Sequence, residues 1–249
     1  MTENRENSSS SFAGEVILAR LKLDRYSDII KSYNKPFDPD FICFMIKVAK
    51  HLCKGFSCTF AYTQFGEINL VWDRANSQVQ LPIIKINKLN NSLIGTASGY
   101  YSNLNPKGTI GVFDCETWKI NTRREAIETI IWRQLDAKVN SIHTLARHYF
   151  LETELIKKNL RERLQLLDTK GIKWGDLPRE IRQGTFIVSS VVERPLLASE
   201  LQLFPENMDI DPLTIYYENV YECIHLSLKD LSPEEINVKL FNRKSRTLH

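Results

Sequence analysis

The residues of this chain best suited to chemistry lie at a strand end and a hairpin tip. Val16 to Leu23 reads as a buried strand, with Asp24 just beyond it. Ser57 to Tyr62 and Glu67 to Asp73 read as two further strands, joined by a turn at Gln64, Phe65 and Gly66. A strand end facing a hairpin tip can bring two carboxylates together. Two close carboxylates can hold a pair of Mg2+ ions for phosphoryl transfer, because Mg2+ prefers hard oxygen ligands. Asp24 and Glu67 are the acids available for that task. Arg20 and Lys22 on the same strand suit phosphate oxygens, as a fork and a point charge respectively.

A second group is basic. Lys157, Lys158, Arg161 and Lys173 lie close to Trp174 in a stretch that runs to Arg182 and is diluted by Glu162, Asp168, Asp176 and Glu180. Charge and indole stacking together could contact an RNA backbone, and a solvated helix face is the competing reading. A metal site of the zinc type is not expected. Cys43, Cys53, Cys58, Cys115 and Cys223 form no C-x-x-C pair and are odd in number, which reads as free thiols in a reducing compartment. His143 and His148 are five apart and do not stack on one helix face.

The elements that must position these groups are legible from periodicity. Pro36 to Pro39 reads as a turn and Asp40 to Lys54 as a helix capped by Asp40, with apolar Ile42, Met45, Ile46 and Ala49 at helical spacing. Lys85 to Asn103 reads as helix and Thr109 to Phe113 as strand. Arg123 to Phe150 is a long helix capped by Asn121 or Thr122, and Leu151 to Leu167 continues it after a bend. Gly171 to Arg182 reads as loop, Thr185 to Val192 as strand, and Leu213 to Leu228 as a last strand. The order suits an α+β fold, an antiparallel sheet with helices packed on one face.

Bulk properties set outer limits. The 249 residues are 43% hydrophobic and 25% charged, with a formal net charge of +3. That is ordinary for a globular chain, and so weakly basic that it permits a nucleic-acid partner without arguing for one. No apolar run approaches the length of about 18 residues that a membrane span needs. The polar, Ser-rich start lacks the apolar core of a signal peptide, so residues 1–14 are expected to be a disordered tail on a cytoplasmic protein.

Several motifs in the same order resemble the tRNA-histidine guanylyltransferases and related 3′-to-5′ polymerases. They are the hairpin from Ala61 to Trp72, Phe113-Asp114-Cys115, Trp132-Arg133-Gln134-Leu135-Asp136, Asn140-Ser141-Ile142, Lys170 to Trp174, and Gly184-Thr185. The resemblance implies a polymerase-palm domain over 15–192 with a helical insert, and a C-terminal extension over 193–249 packing on it. It implies nucleotide-phosphate contacts at Arg20, Lys85, Lys88 and Arg133; Lys22 could itself fill the place of a missing cation and meet a phosphate oxygen, or instead form a salt bridge to Glu67. It also implies a dimer or tetramer, GTP and Mg2+ as cofactors if the family activity is retained, and a tRNA-like RNA as partner.

The family's first strand ends in Arg-Leu-Asp-Gly-Arg and its hairpin tip reads Ser-Asp-Glu. Here the first metal-binding aspartate falls on Lys22, the glycine on Leu23 and the second aspartate on Gly66, while Glu67 survives. An ammonium repels Mg2+ where a carboxylate attracted it; even two unit charges 4 Å apart interact by about 4 kcal/mol at an effective dielectric of 20. Asp24 lies about 6–7 Å further along the strand. The leading expectation is a catalytically degenerate homologue, with no bound metal, that binds nucleotide or RNA or pairs with an active paralogue. The alternatives are an active nucleotidyltransferase using Glu67 and Asp24, and a regulatory or defence subunit.

Overall fold

The structure, a computed structural model, describes residues 16–74, 86–195, 215–241 and 246–247. The expected N-terminal tail over 1–14 and Lys85 lie outside the described residues. In chain order the elements are β1 (Val16–Leu23), α1 (Tyr26–Ile29), α2 (Pro39–Gly55), β2 (Phe60–Gln64) and β3 (Glu67–Asp73). There follow α3 (Ile86–Leu104), β4 (Phe113–Ile120), α4 (Arg123–Tyr149), α5 (Glu152–Leu155), α6 (Leu160–Thr169) and α7 (Arg179–Gln183). The chain ends with β5 (Thr185–Pro195), β6 (Ile215–Ile224), α8 (Pro233–Ile236) and β7 (Arg246–Thr247). No described helix is long and apolar enough to cross a membrane.

Six antiparallel strands form the sheet in the order β4-β1-β3-β2-β5-β6, and β7 pairs in parallel with β5. The fold is the expected α+β antiparallel sheet, but its helices pack on both faces and not on one. Side chains alternate between its faces. Ile17, Ala19, Leu21 and Leu23 of β1 point to one face and meet Phe41, Met45 and Val48 of α2 and Leu89, Leu93 and Ala97 of α3. Val16 and Leu18 point to the other face, with Phe60, Tyr62, Val71, Phe186 and Val188 from the neighbouring strands. That second face is covered too, by Ala126 and Ile130 of α4 and by Leu228, Ile236 and Phe241. Each large apolar side chain fully buried this way is worth about 1.5–3 kcal/mol.

The second face changes character along its length. Past Leu18 the next residues of β1 on that face are Arg20 and Lys22, and β3 presents Val71, then Asn69, then Glu67. The α4 face of the sheet is therefore apolar at one end and polar at the end near the hairpin tip, and the site lies where apolar packing stops.

Several local expectations are corrected. The cap of α2 is Asp38, not Asp40: its carboxylate accepts the Asp40 and Phe41 amides at 2.8 and 3.1 Å and the Asn34 amide at 2.8 Å. Thr109 to Phe113 is not a strand; β4 begins at Phe113. Asn105 Nδ2 donates to the Thr109 carbonyl at 3.0 Å and Ser102 Oγ accepts the Gly111 amide at 3.1 Å, so side chains satisfy this backbone instead of a ladder. The helix after α4 is broken into α5 and α6, with Lys157 between them at φ 59°.

Asp38→Ala should lower the unfolding free energy by about 1–2 kcal/mol, since it leaves buried helix-start amides without an acceptor. Asp40→Ala should cost less, because an exposed first-turn acid contributes only about 0.3–1 kcal/mol through the helix dipole. Urea denaturation of the two variants gives the comparison, and a larger loss for Asp40→Ala would contradict the assignment.

Candidate functional site

At the hairpin end of the sheet three strands align one residue each. Lys22 of β1 is directly opposite Glu67 of β3 on one side and Asp114 of β4 on the other. Such opposed pairs have Cβ atoms about 4.5–5.5 Å apart and share a face. Above this row lies α4, which lowers Arg133 onto Glu67.

The Glu67 carboxylate is fully engaged. Its Oε1 accepts Arg133 Nε at 2.7 Å and Asn69 Nδ2 at 2.9 Å. Its Oε2 accepts Arg20 Nε at 2.8 Å, a second Arg20 nitrogen at 2.7 Å and Arg133 Nη2 at 2.7 Å. A carboxylate offers about four lone-pair sites, so no acceptor capacity is left. Burial would raise the Glu67 pKa, but the hydrogen bonds from Arg133, Asn69 and Arg20 outweigh it and hold the group below the ordinary carboxylate range. Arg133 is 9% exposed and also pairs with Asp136 at 3.0 Å. The expected alternative of a Lys22–Glu67 salt bridge is not formed. Lys22 is exposed, and its side chain makes no hydrogen bond or ion pair with a described residue.

Lys22 and Glu67 of this row form the floor of a cavity of about 450 Å3. Arg20, Lys22, Glu67 and Arg133 are brought together in it. Sequence reasoning missed Tyr26, Phe37 and Phe65 on one wall, and Asp136, His143 and Arg147 on the other. The rings of Phe37 and Phe65 stack with centroids 5.8 Å apart. The α4 wall was legible in principle: positions 133, 136, 137, 140, 143, 144 and 147 recur at i, i+3 and i+4 and make one stripe on the helix. Burial and then the charges of Arg163 and Arg147 lower the His143 pKa, favouring its neutral form.

A model of the tRNAHis guanylyltransferase family matches residues 3–121, which include the strand end, the hairpin and β4. The chain is tRNAHis guanylyltransferase-like. An uncharacterized protein of Acanthamoeba polyphaga mimivirus is 23% identical over 204 aligned positions, covering 70% of each chain. Among solved structures, a bacterial tRNA(His) guanylyltransferase-like protein in complex with GTP is 17% identical, with a TM-score of 0.68 over 94% of this chain and 93% of that one. One in complex with ATP is 23% identical, with a TM-score of 0.65 over 70% and 79%. The tRNA(His) guanylyltransferase of Saccharomyces cerevisiae is 16% identical, with a TM-score of 0.60 over 69% and 84%. These likenesses show the fold.

The guanylyltransferase-like site here does not fit two metal ions. Lys22 stands where the resemblance expects the first aspartate, and both oxygens of Glu67 are taken by arginines. Gly66, where it expects the second, is blocked as well. A Cβ there would lie 2.6 Å from Cδ2 and 3.1 Å from Cγ of Tyr26. The Tyr26 ring packs in turn on Phe41, 5.7 Å between centroids, and the Leu23 amide donates to the Gly66 carbonyl at 2.8 Å, closing the hairpin tip against β1. Among the described residues no group of three or more His, Cys, Asp or Glu side chains could hold a metal.

Other expected site residues lie elsewhere. Asp24 does not line the cavity; it is exposed on the turn after β1, where its Oδ1 accepts the Arg25 amide at 2.8 Å. Lys88 is exposed on α3, which packs on the opposite face of the sheet from Arg133. Lys157, Lys158, Arg161 and Lys173 are exposed on the α5–α6 edge and the loop after it. Trp174 is not a free stacking platform. Its indole N–H donates to Ser141 Oγ at 2.9 Å, and it packs beside Leu145 and Leu167.

Three outcomes follow. Glu67→Gln should cost about 3 kcal/mol or more, because it strands Arg133 without its counter-charge. The native Glu67 pKa is depressed, so its contribution is present above the unfolded value of about 4.3 and is lost as pH falls through the lower native value. Wild-type stability should therefore drop more steeply than that of Glu67→Gln below about pH 4.3, as urea midpoints across pH will show. Restoring the aspartates in Lys22→Asp/Gly66→Asp should destabilise the fold by about 1–3 kcal/mol through collision with Tyr26, measured by thermal melts.

Proposed function

We propose that the chain binds a nucleoside triphosphate in the Lys22 cavity without metal ions and does not carry out the metal-dependent 3′-to-5′ addition of its family. One observation carries this reading: Arg20 and Arg133 saturate Glu67, while Lys22 faces the cavity with no partner among the described residues. The ammonium supplies positive charge at the position where the family resemblance expects a metal-binding aspartate, and phosphate oxygens are suited to receive it. Phe37 and Phe65 offer an apolar wall for a base. The volume falls within the ~300–1,000 Å3 usual for small-molecule sites. Complexes of bacterial relatives with GTP and ATP support the choice of ligand. In this reading the protein acts in the cytoplasm with a tRNA-like RNA or an active paralogue, as a degenerate homologue.

Asp24 offers no support to the active alternative, since it stands on an exposed turn away from the cavity. Isothermal titration with GTP should give the same affinity in EDTA as in Mg2+, and Lys22→Ala should weaken it about tenfold, the worth of roughly one charge-assisted contact. Incubation of the pure protein with GTP, Mg2+ and a 5′-truncated tRNA should give no longer product. Clear 5′ addition, or GTP binding that needs Mg2+, would overturn the proposal.

A further inference from the structure

On the opposite side of α4 from the Lys22 cavity, Gln134, Leu135 and Lys138 form one wall of a second cavity of about 170 Å3. Trp174, Arg182, Lys229 and Asp230 also line it, with Ile131, Gln183 and Ser227, and it shares no residue with the first. Three cations meet one carboxylate there. Lys229 Nζ and Asp230 Oδ1 are 4.0 Å apart. Lys138 and Arg182 have no carboxylate at ion-pair distance among the described residues. Both lie over the Trp174 ring, with Lys138 Nζ 5.0 Å and Arg182 Cζ 5.8 Å from its centroid. Arg182 Nε donates to the Leu177 carbonyl at 2.7 Å, and its two outer nitrogens have no acceptor among the described residues.

The frame around these cations is fixed. Gln134 Nε2 donates to the carbonyls of Gln183 and Leu226, each at 2.7 Å, and its Oε1 accepts the Leu228 amide at 3.1 Å. The indole is held by Ser141. Donors held ready without local acceptors need little reordering to take up an anion. The volume lies below the range of whole small-molecule ligands, about 300 Å3 and upward. It suits a single tetrahedral group, which a guanidinium fork and an ammonium recognise well.

We propose that this cavity is a binding site for one phosphate group, as free or monoester phosphate or as a phosphodiester of an RNA backbone. It is independent of the Lys22 reading and uses Trp174 as a support for cations, not as a stacking surface.

The test is an NMR titration of the full chain at low salt, following the Trp174 indole N–H. Inorganic phosphate should give a saturable shift, weakened about tenfold or more in Lys138→Gln and in Arg182→Gln, with GTP binding at the Lys22 cavity unchanged. Circular dichroism reports whether each variant folds, and Lys229→Gln, on an exposed turn, provides a third variant that spares the frame. Competition by hexauridylate lacking terminal phosphates would support the site with a diester as its ligand. Phosphate binding without such competition would support it with free or monoester phosphate. A linear, unsaturable shift, or affinity indifferent to all three substitutions, would overturn it.

Discussion

One buried carboxylate governs the hairpin end of this sheet. Glu67 is largely withdrawn from water and still charged, so it must be neutralised where it stands. Arg20 does this from the neighbouring strand and Arg133 from the helix above. The second contact ties the middle of α4 to β3 just where apolar packing under that helix ends. The same helix then supplies walls to both cavities. The Glu67–Arg133 contact thus works as a fastening between two layers of the fold.

The electrostatic consequence reaches beyond the pair. Two guanidinium groups and the Lys22 ammonium face one carboxylate at the cavity floor, with Asp136 also lining the cavity. The balance favours anions over cations. Low-dielectric walls such as Phe37 and Phe65 strengthen such a field, and salt weakens it over about 8 Å under physiological conditions. The cavity floor is therefore an environment suited to anionic groups and not to a divalent metal ion.

Much of this was legible in the residues. Buried runs and helical stripes marked β1, the β2–β3 hairpin, α2 and α4, and the motif order indicated that Arg20, Lys22, Glu67 and Arg133 belong to one place. What escaped were contacts decided by distant packing. Nothing local to Tyr26 says that its ring lies under Gly66. Trp174 carries the composition of a stacking residue, but a hydrogen bond to Ser141, 33 positions away, fixes its indole against α4, and two cations lie over its ring. Lys88 has the right chemistry for phosphate, yet its helix packs on the wrong face. Thr109 and Ile110 have strand propensity, which Asn105 and Ser102 override by satisfying the backbone themselves. Asp38 and Asp40 are equally good caps by type, and only the chain path selects the first.

The Tyr26 ring beneath Gly66 makes the hairpin tip and the turn after β1 one packed unit. Position 66 carries no Cβ, and the ring occupies the space that one would fill. Any side chain there, an aspartate included, would need the ring to move first. The ring is itself packed on Phe41 of α2, so the residue tolerated at the hairpin tip is set by a helix remote from it in sequence.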